Sequence, residues 1–244
     1  MNYRYYENDN FEDFACGRVI LGKAGMTNFP VRLTGEIFKR CLEYAERTAG
    51  LTVYDPCCGS GYMLTVAALL NPYAVGRIAG SDIDPEAVSL AKANLSLLTA
   101  NGLMGRREQI EGMVKKYGKQ SHIDALSSVD RFAGIIRGRT FEPEIICFAT
   151  DATEPGSLAK AGFKSDVVIT DVPYGRLVSW DNGTGNAVNV MLENLLPVLH
   201  GGSVVAVIAD KSQKIRNDRY QRLEKFKVGK RQVEIIKPKG KNNS

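Results

Sequence analysis

Short apolar runs alternate with amphipathic stretches along most of the chain. Residues Leu51–Asp55 and 77–82 read as short strands, and Glu144–Ala149, 167–171 and 203–209 are almost uniformly apolar, the pattern of strands covered on both faces. Residues Tyr62–Leu70 and 85–99 read as helices. Asp84 is placed to cap the second of these, Pro85 fits its first turn, and Val88, Ala91, Leu95 and Leu98 share a face. Residues 31–48 form another amphipathic helix, with Leu33, Ile37, Phe38, Cys41 and Leu42 on one side. Residues 232–237 suggest a last strand at an edge. Strands alternating with helices predict an α/β protein with a parallel, doubly wound sheet. Residues 105–140 break the rhythm: they are polar, basic and helical in pattern, and lie between the second and third strands. They read as an insertion within one domain spanning 1–244. Residues 1–50 supply a covering segment and a helix, and 238–244 a flexible tail.

Composition narrows the picture. The chain has 244 residues, 44% hydrophobic and 24% charged, the balance of a soluble globular protein. Its apolar runs fall far short of the roughly 20 residues that span a membrane, and residues 1–13 have no apolar signal core. A cytoplasmic protein without membrane contact is expected. Five cysteines, with Cys57 and Cys58 adjacent, fit reduced thiols. His122 and His200 lack metal-ligand spacing, so no metal is expected. The net charge of +5 is unevenly spread: 105–140 holds 8 Lys/Arg against 4 Asp/Glu, and 210–244 holds 12 against 4, leaving −7 elsewhere. Two basic regions on an acidic body point to a polyanion, nucleic acid first, or else to two solvated surfaces.

The candidate chemistry lies at strand ends. Leu51–Asp55 runs into Pro56-Cys57-Cys58-Gly59-Ser60-Gly61 and a helix follows, so glycines let the backbone approach a ligand at the carboxyl edge of the sheet. A dinucleotide loop wants a third small residue where Leu64 stands. Asp55 would repel a pyrophosphate and suits a cation, which points to S-adenosylmethionine. Asp82 follows the second strand, where an acid can accept ribose hydroxyls; Asp84 either joins it or only caps the helix. Asp151 and the Ala152 amide follow the third strand, placed for an adenine. The fourth ends in Thr170-Asp171-Val172-Pro173-Tyr174-Gly175, which resembles the (N/D)-P-P-(Y/F) turn of methyltransferases acting on planar amino nitrogens. Asp171 and the following carbonyl can hold such a nitrogen, Pro173 stiffens the turn, and Tyr174 can stack on a displaced base. Val172 departs from that turn, as does Asp171 from the commoner Asn. Asp-type turns are typical of enzymes working on guanine N2 in RNA.

Together YDPCCGSGYMLT, SDIDPEAVSLAKANLSLL, TDVPYG and ADKSQKI resemble the AviRa-like avilamycin-resistance rRNA methyltransferase family. GRVILGKAGMTNFPVRLTGEIFKRCL and the basic insertion extend the likeness over almost the whole chain. The resemblance implies a class I methyltransferase, a Rossmann-like doubly wound sheet with a helical insertion. It implies methyl transfer from S-adenosylmethionine to a guanosine of 23S rRNA in the large ribosomal subunit, with resistance to orthosomycins such as avilamycin as the sharper reading. Asp55, Cys57, Gly59 and Gly61 would then form the methionine-end loop. Arg32 either pairs with the methionine carboxylate or caps a helix. Trp180, in a glycine-rich stretch, either stacks on the base or packs. Arg106, Arg107, Lys115, Lys116 and Lys119 of the insertion, with Lys211, Lys214, Arg216, Arg219 and Arg222, are candidate phosphate contacts. Competing readings are another amino-nitrogen acceptor (tRNA guanine, DNA adenine or protein glutamine) and a non-catalytic RNA-binding module.

Overall fold

The computed structural model describes residues 2–22, 28–139, 142–173 and 187–240. Strands β1 (Leu51–Asp55), β2 (Val75–Asp82), β3 (Glu144–Ala149), β4 (Ser165–Asp171), β5 (Leu199–Asp210), β6 (Tyr220–Val228) and β7 (Arg231–Pro238) form one sheet in the order β3-β2-β1-β4-β5-β7-β6. Neighbours from β3 through to β5 are parallel, and β7 runs antiparallel to β5 and β6. Helices α1 (Val31–Tyr44), α2 (Tyr62–Leu70), α3 (Pro85–Ser96), α4 (Ala100–Tyr117), α5 (Gln120–Arg137) and α6 (Ala187–Leu195) cover it. Side-chain alternation along each strand splits the core in two. Val53, Val167 and Ile169 face a core built with α1 to α5, while Tyr54 and Val168 face one built with α6, Leu158 and Phe163. Among the described residues, no helix is long and apolar enough to cross a membrane and no group of three or more His, Cys, Asp or Glu could hold a metal.

The strands with apolar runs lie where the pattern puts them, with one correction. β3 is an outer strand, and none of its residues is buried, so its apolar run does not mean cover on both faces. Residues 232–237 are not at an edge: they belong to β7, whose Val233, Ile235 and Ile236 are buried between β5 and β6. The edge is β6. Its alternation of Arg222, Glu224, Lys225 and Lys227 among apolar residues leaves no apolar run to read. The helices stop earlier than their patterns, α1 at Tyr44 and α3 at Ser96, and the nine-residue α6 gave no signal. At the carboxyl end β7 runs to Pro238, and the Lys239 amide donates to the Arg219 carbonyl at 2.8 Å, so the chain is held by the sheet beyond the expected start of a tail.

The insertion is a helical hairpin. Gly118, at φ +61°, ends α4 and lets α5 begin two residues later. Arg139 closes its open end by donating to the carbonyls of Leu98 and Ala68 at 2.9 and 3.1 Å. The Ala100 amide adds a bond to Glu142 at 3.1 Å. The amino-terminal arm is held by the fully buried Glu36, which accepts the amides of Arg4 and Tyr5 at 2.8 and 2.9 Å and pairs with Arg40 at 2.7 Å. Arg40 and Arg4 both reach Glu224 of β6.

Candidate functional site

Four adjacent strands carry an acid at or just past their carboxyl ends: Asp151 after β3, Asp82 on β2, Asp55 on β1 and Asp171 on β4. The register keeps the four ends together, since Asp55 lies opposite Gly80, Asp82 opposite Ala149 and Asp171 opposite Ile208. The crevice outside strand ends, where crossovers leave for opposite faces, is the general ligand site of open α/β sheets.

The loop after β1 is built around its acids. Asp55 is 2% exposed and accepts the Cys57 amide at 2.9 Å. Asp82 accepts the Gly59 amide at 2.8 Å and the Asp84 amide at 3.0 Å, so one carboxylate braces both turns. Gly59, at φ +52°, has open space where a Cβ would stand, leaving its backbone accessible. Gly61, at φ +71°, has a different reason: a Cβ there would meet Ala91 Cα at 3.0 Å, so it lets α2 pack against α3. The buried Asn94 side chain ties the loop down, donating to Ser60 and Leu21 carbonyls at 2.9 and 3.0 Å and accepting the Leu21 amide at 2.7 Å.

Burial pushes Asp55 up to about 8, and the charges of Asp82 and Asp171 add to the rise. A carboxylate so placed is relieved by a cation, which fits the sulfonium and ammonium end of S-adenosylmethionine. Cys57 and Cys58 are pushed up by burial and stay neutral thiols, so they line the loop and are not nucleophiles. Asp171 is raised to about 6, by burial first and against the lowering charge of Arg231. Its Oδ1 is buried, accepts no hydrogen bond among the described residues, and lies 3.8 Å from Arg231 Nε in an ion pair. A buried acceptor atom with free capacity is prepared for a donor from a substrate.

Other predicted residues have partners within the protein. Asp84 caps α3 through the Glu86 amide at 2.9 Å. Asp151 Oδ1 accepts the Thr153 amide and hydroxyl at 2.7 and 2.6 Å, and Ala152 is buried beside it. Arg32 Nε donates to the Tyr6 carbonyl at 2.8 Å, and its guanidinium lies 3.7 Å over the Tyr3 ring, so it secures the amino-terminal arm. Arg106 donates to Arg18 and Val19 carbonyls, Arg107 pairs with Glu111 and Asp130, and Arg222 with Glu234. Lys115, Lys116, Lys119, Lys211, Lys214, Arg216 and Arg219 form no side-chain ion pair among the described residues. Pro173 accepts a long contact of 3.4 Å from Gln213 Nε2. Tyr174 and Trp180 lie outside the described residues.

Sequence reasoning missed Arg231 and Gln213, which reach the fourth strand end from the carboxyl-terminal strands. Gln213 accepts the Asp210 amide at 3.0 Å and so joins the turn after β5 to Pro173. It also missed Ile83, which leaves 64% of its surface exposed between Asp82 and Asp84. An apolar side chain in a turn of acids was the available signal there.

Comparison with known proteins gives a consistent result. The family described as rRNA methyltransferase AviRa matches residues 1–231. The 23S rRNA (guanine(2535)-N(1))-methyltransferase of Streptomyces viridochromogenes is 34% identical over 239 residues, covering 96% of this chain and 95% of that protein. The solved structure of the rRNA methyltransferase AviRa from that organism superposes with a TM-score of 0.88 over 97% of this chain and 96% of that one, at 34% identity. TrmN from Thermus thermophilus shares only the fold, at 16% identity and a TM-score of 0.51 over 84% of this chain and 48% of its own. The sheet and its helical insertion are thus those of a class I methyltransferase.

Proposed function

The chain belongs to the AviRa family of rRNA methyltransferases, and from that membership we propose that it methylates a guanine of 23S rRNA with S-adenosylmethionine as donor. The acceptor we propose is ring N1, as named for the Streptomyces relative, in place of the exocyclic N2 that the Asp-type turn had suggested. The observation that carries this reading is Asp171, a half-buried carboxylate at the end of β4 whose Oδ1 is shielded from solvent and accepts no hydrogen bond among the described residues. A guanine edge presents N1–H and N2–H side by side, two donors that an acceptor-only carboxylate matches and an amide side chain does not.

S-adenosylmethionine, when bound, supplies a methyl group activated on sulfonium sulfur. Asp55 would answer its positive end, the Gly59 backbone would let it approach, and Asp82 and Asp151 would hold its ribose and adenine ends. Guanine N1 carries a proton and a delocalised lone pair, so it must lose the proton to become a nucleophile. Asp171 takes that proton at a carboxylate oxygen. The electron pair left on N1 forms the bond to the methyl carbon, and the pair of the broken carbon–sulfur bond stays on sulfur. Arg231 is placed to balance the negative charge that spreads from N1 to O6 while the proton moves. Action on ribosomal RNA fits a cytoplasmic protein, and protection against avilamycin-type antibiotics is the physiological role this chemistry fits.

The test is tritium transfer from labelled S-adenosylmethionine to ribosomal RNA of cells lacking the gene, then mapping. Methylation at N1 removes a Watson–Crick donor and arrests reverse transcriptase at one guanosine. Label in 23S rRNA without an arrest would assign N2, and label in tRNA or protein would replace the substrate class.

A further inference from the structure

Four arginines of the α4–α5 hairpin and its base are engaged inside the protein, and the lysines at its apex form no ion pair among the described residues. Arg106 is held by two carbonyls of the amino-terminal segment, Arg107 by Glu111 and Asp130, Arg131 by Asp13, and Arg139 by the carbonyls of Leu98 and Ala68. These contacts fix the hairpin along its length. Lys115, Lys116 and Lys119 form no ion pair or side-chain hydrogen bond among the described residues, and all three flank the turn at Gly118. Between them stands Tyr117, 54% exposed. The Lys116 and Lys119 ammonium groups lie 5.0 and 6.0 Å from its ring centroid, and the His122 ring is edge-on at 5.9 Å.

This arrangement has the two parts of a single-stranded nucleic acid contact. A half-exposed planar ring can stack on an unpaired base once the flexible lysine side chains that lie over it turn outward, where their ammonium groups can take the flanking phosphates. The turn is short, because Gly118 accepts the left-handed conformation that ends α4 and lets α5 begin two residues later. The hairpin is anchored at its open end, and the 18 residues of α4 carry the apex about 27 Å from that anchor. We propose that the apex is a second RNA contact, distinct from the four strand ends, in which Tyr117 stacks on an unpaired base and Lys115, Lys116 and Lys119 hold phosphates. The proposal rests on the rRNA methyltransferase reading and adds to it how the substrate is gripped away from the reacting base.

Tyr117→Ala, Tyr117→Phe and the double variant Lys116→Ala/Lys119→Ala test it, compared with wild type for kcat and KM of methyl transfer to ribosomal RNA. Filter binding of the same RNA and calorimetric binding of S-adenosylmethionine complete the set. Tyr117→Ala should raise KM and the RNA Kd roughly five- to hundredfold, the loss of one base–aromatic stack, with kcat and cofactor affinity unchanged. Tyr117→Phe should stay within about twofold, because a phenyl ring also stacks. The lysine variant should flatten the dependence of RNA affinity on salt by a slope of about 1.4, two single-strand phosphate contacts. Unchanged RNA affinity in Tyr117→Ala overturns the proposal, and so does equal loss in the Phe variant. Normal affinity for naked RNA with weakened binding to the large subunit would assign the apex to a ribosomal protein instead. If wild type binds RNA but transfers no methyl to it, the function reading fails while filter binding still decides the apex. If wild type does neither, both fall.

Discussion

Arg231 Nε and Asp171 Oδ1 lie 3.8 Å apart because the sheet brings the start of its seventh strand beside the end of its fourth. Asp171 pairs with Ile208 of β5, and Arg231 pairs with Asp210 two residues further along that strand. The guanidinium opposes the effect of burial on Asp171, which stands at about 6. Transfer should therefore rise with pH through about 6 as the carboxylate forms. Arg231→Gln should move that midpoint upward and slow transfer on the order of 10- to 100-fold. Asp171→Asn should abolish transfer while leaving cofactor affinity near wild type. A pH–rate profile of single turnovers reads the first two, and calorimetry the third. A profile unmoved by Arg231→Gln would remove Arg231 from the chemistry.

Asp55 makes cofactor binding a proton-linked event. In the ligand-free protein it stands at about 8, above its unfolded value, so near neutral pH it holds a proton. A cationic ligand favours the carboxylate, so binding at pH 7 should release part of a proton, and affinity should rise with pH up to about 8. The same shift acts on stability with the opposite sense. The folded state binds more protons than the unfolded one between about 4 and 8, so ligand-free stability falls as pH rises across that window. Asp55→Asn should remove that slope, raise the Tm at pH 8 by about 4 °C or more, and weaken cofactor binding. Calorimetry in buffers of different ionisation enthalpy counts the proton, and no buffer dependence would contradict the linkage.

The two glycines of the loop should fail differently. Gly61→Ala sets a Cβ 3.0 Å from the Ala91 backbone at a left-handed position, so α2 and α3 must separate. It should cost about 2 kcal/mol or more of stability, as overpacking plus strain. Gly59→Ala has open space around it, and should cost about 1 kcal/mol in backbone strain while weakening the cofactor more than the fold. Urea unfolding beside cofactor titration separates the two. Equal stability losses would mean the loop relaxes as a unit.

Glu36 is the anchor of the amino-terminal arm. Glu36→Ala strips a buried partner from Arg40 and from two backbone amides. It should destabilise the protein by about 3 kcal/mol and expose residues 2–10 to protease well below the melting temperature. An arm that stays protected would place its anchorage elsewhere, at Arg32 with Tyr3 and Tyr6.

The parts legible in the sequence were those written in local pattern. Strands β1, β4 and β5 announce themselves because they are buried on both faces, and Asp55 and Asp171 because each ends such a strand; Asp82 and Asp151 stand out because each closes a strand that the pattern also marks. What stayed hidden depends on neighbours. β6 carries charge because its outer margin is solvent, and its Glu224 serves Arg40 across the fold. Arg231 looked like one more surface cation until β7 paired with β5. Arg106 and Arg107 counted toward a basic surface, yet their partners, the 18–19 carbonyls and Asp130, are visible only in three dimensions.

The clamp of Arg4 and Arg40 on Glu224 has a consequence for synthesis of the chain. Their shared acid lies 220 and 184 residues downstream. As the nascent polypeptide emerges, Arg40 has Glu36 one helical turn away but not its second acid. The arm at the start of α1 can therefore take its first hold from Glu36 alone, and gains its second only when β6 has been made and laid against β7. The fastening nearest the start of the chain is completed by one of its latest strands, like a belt whose buckle is sewn far along its length.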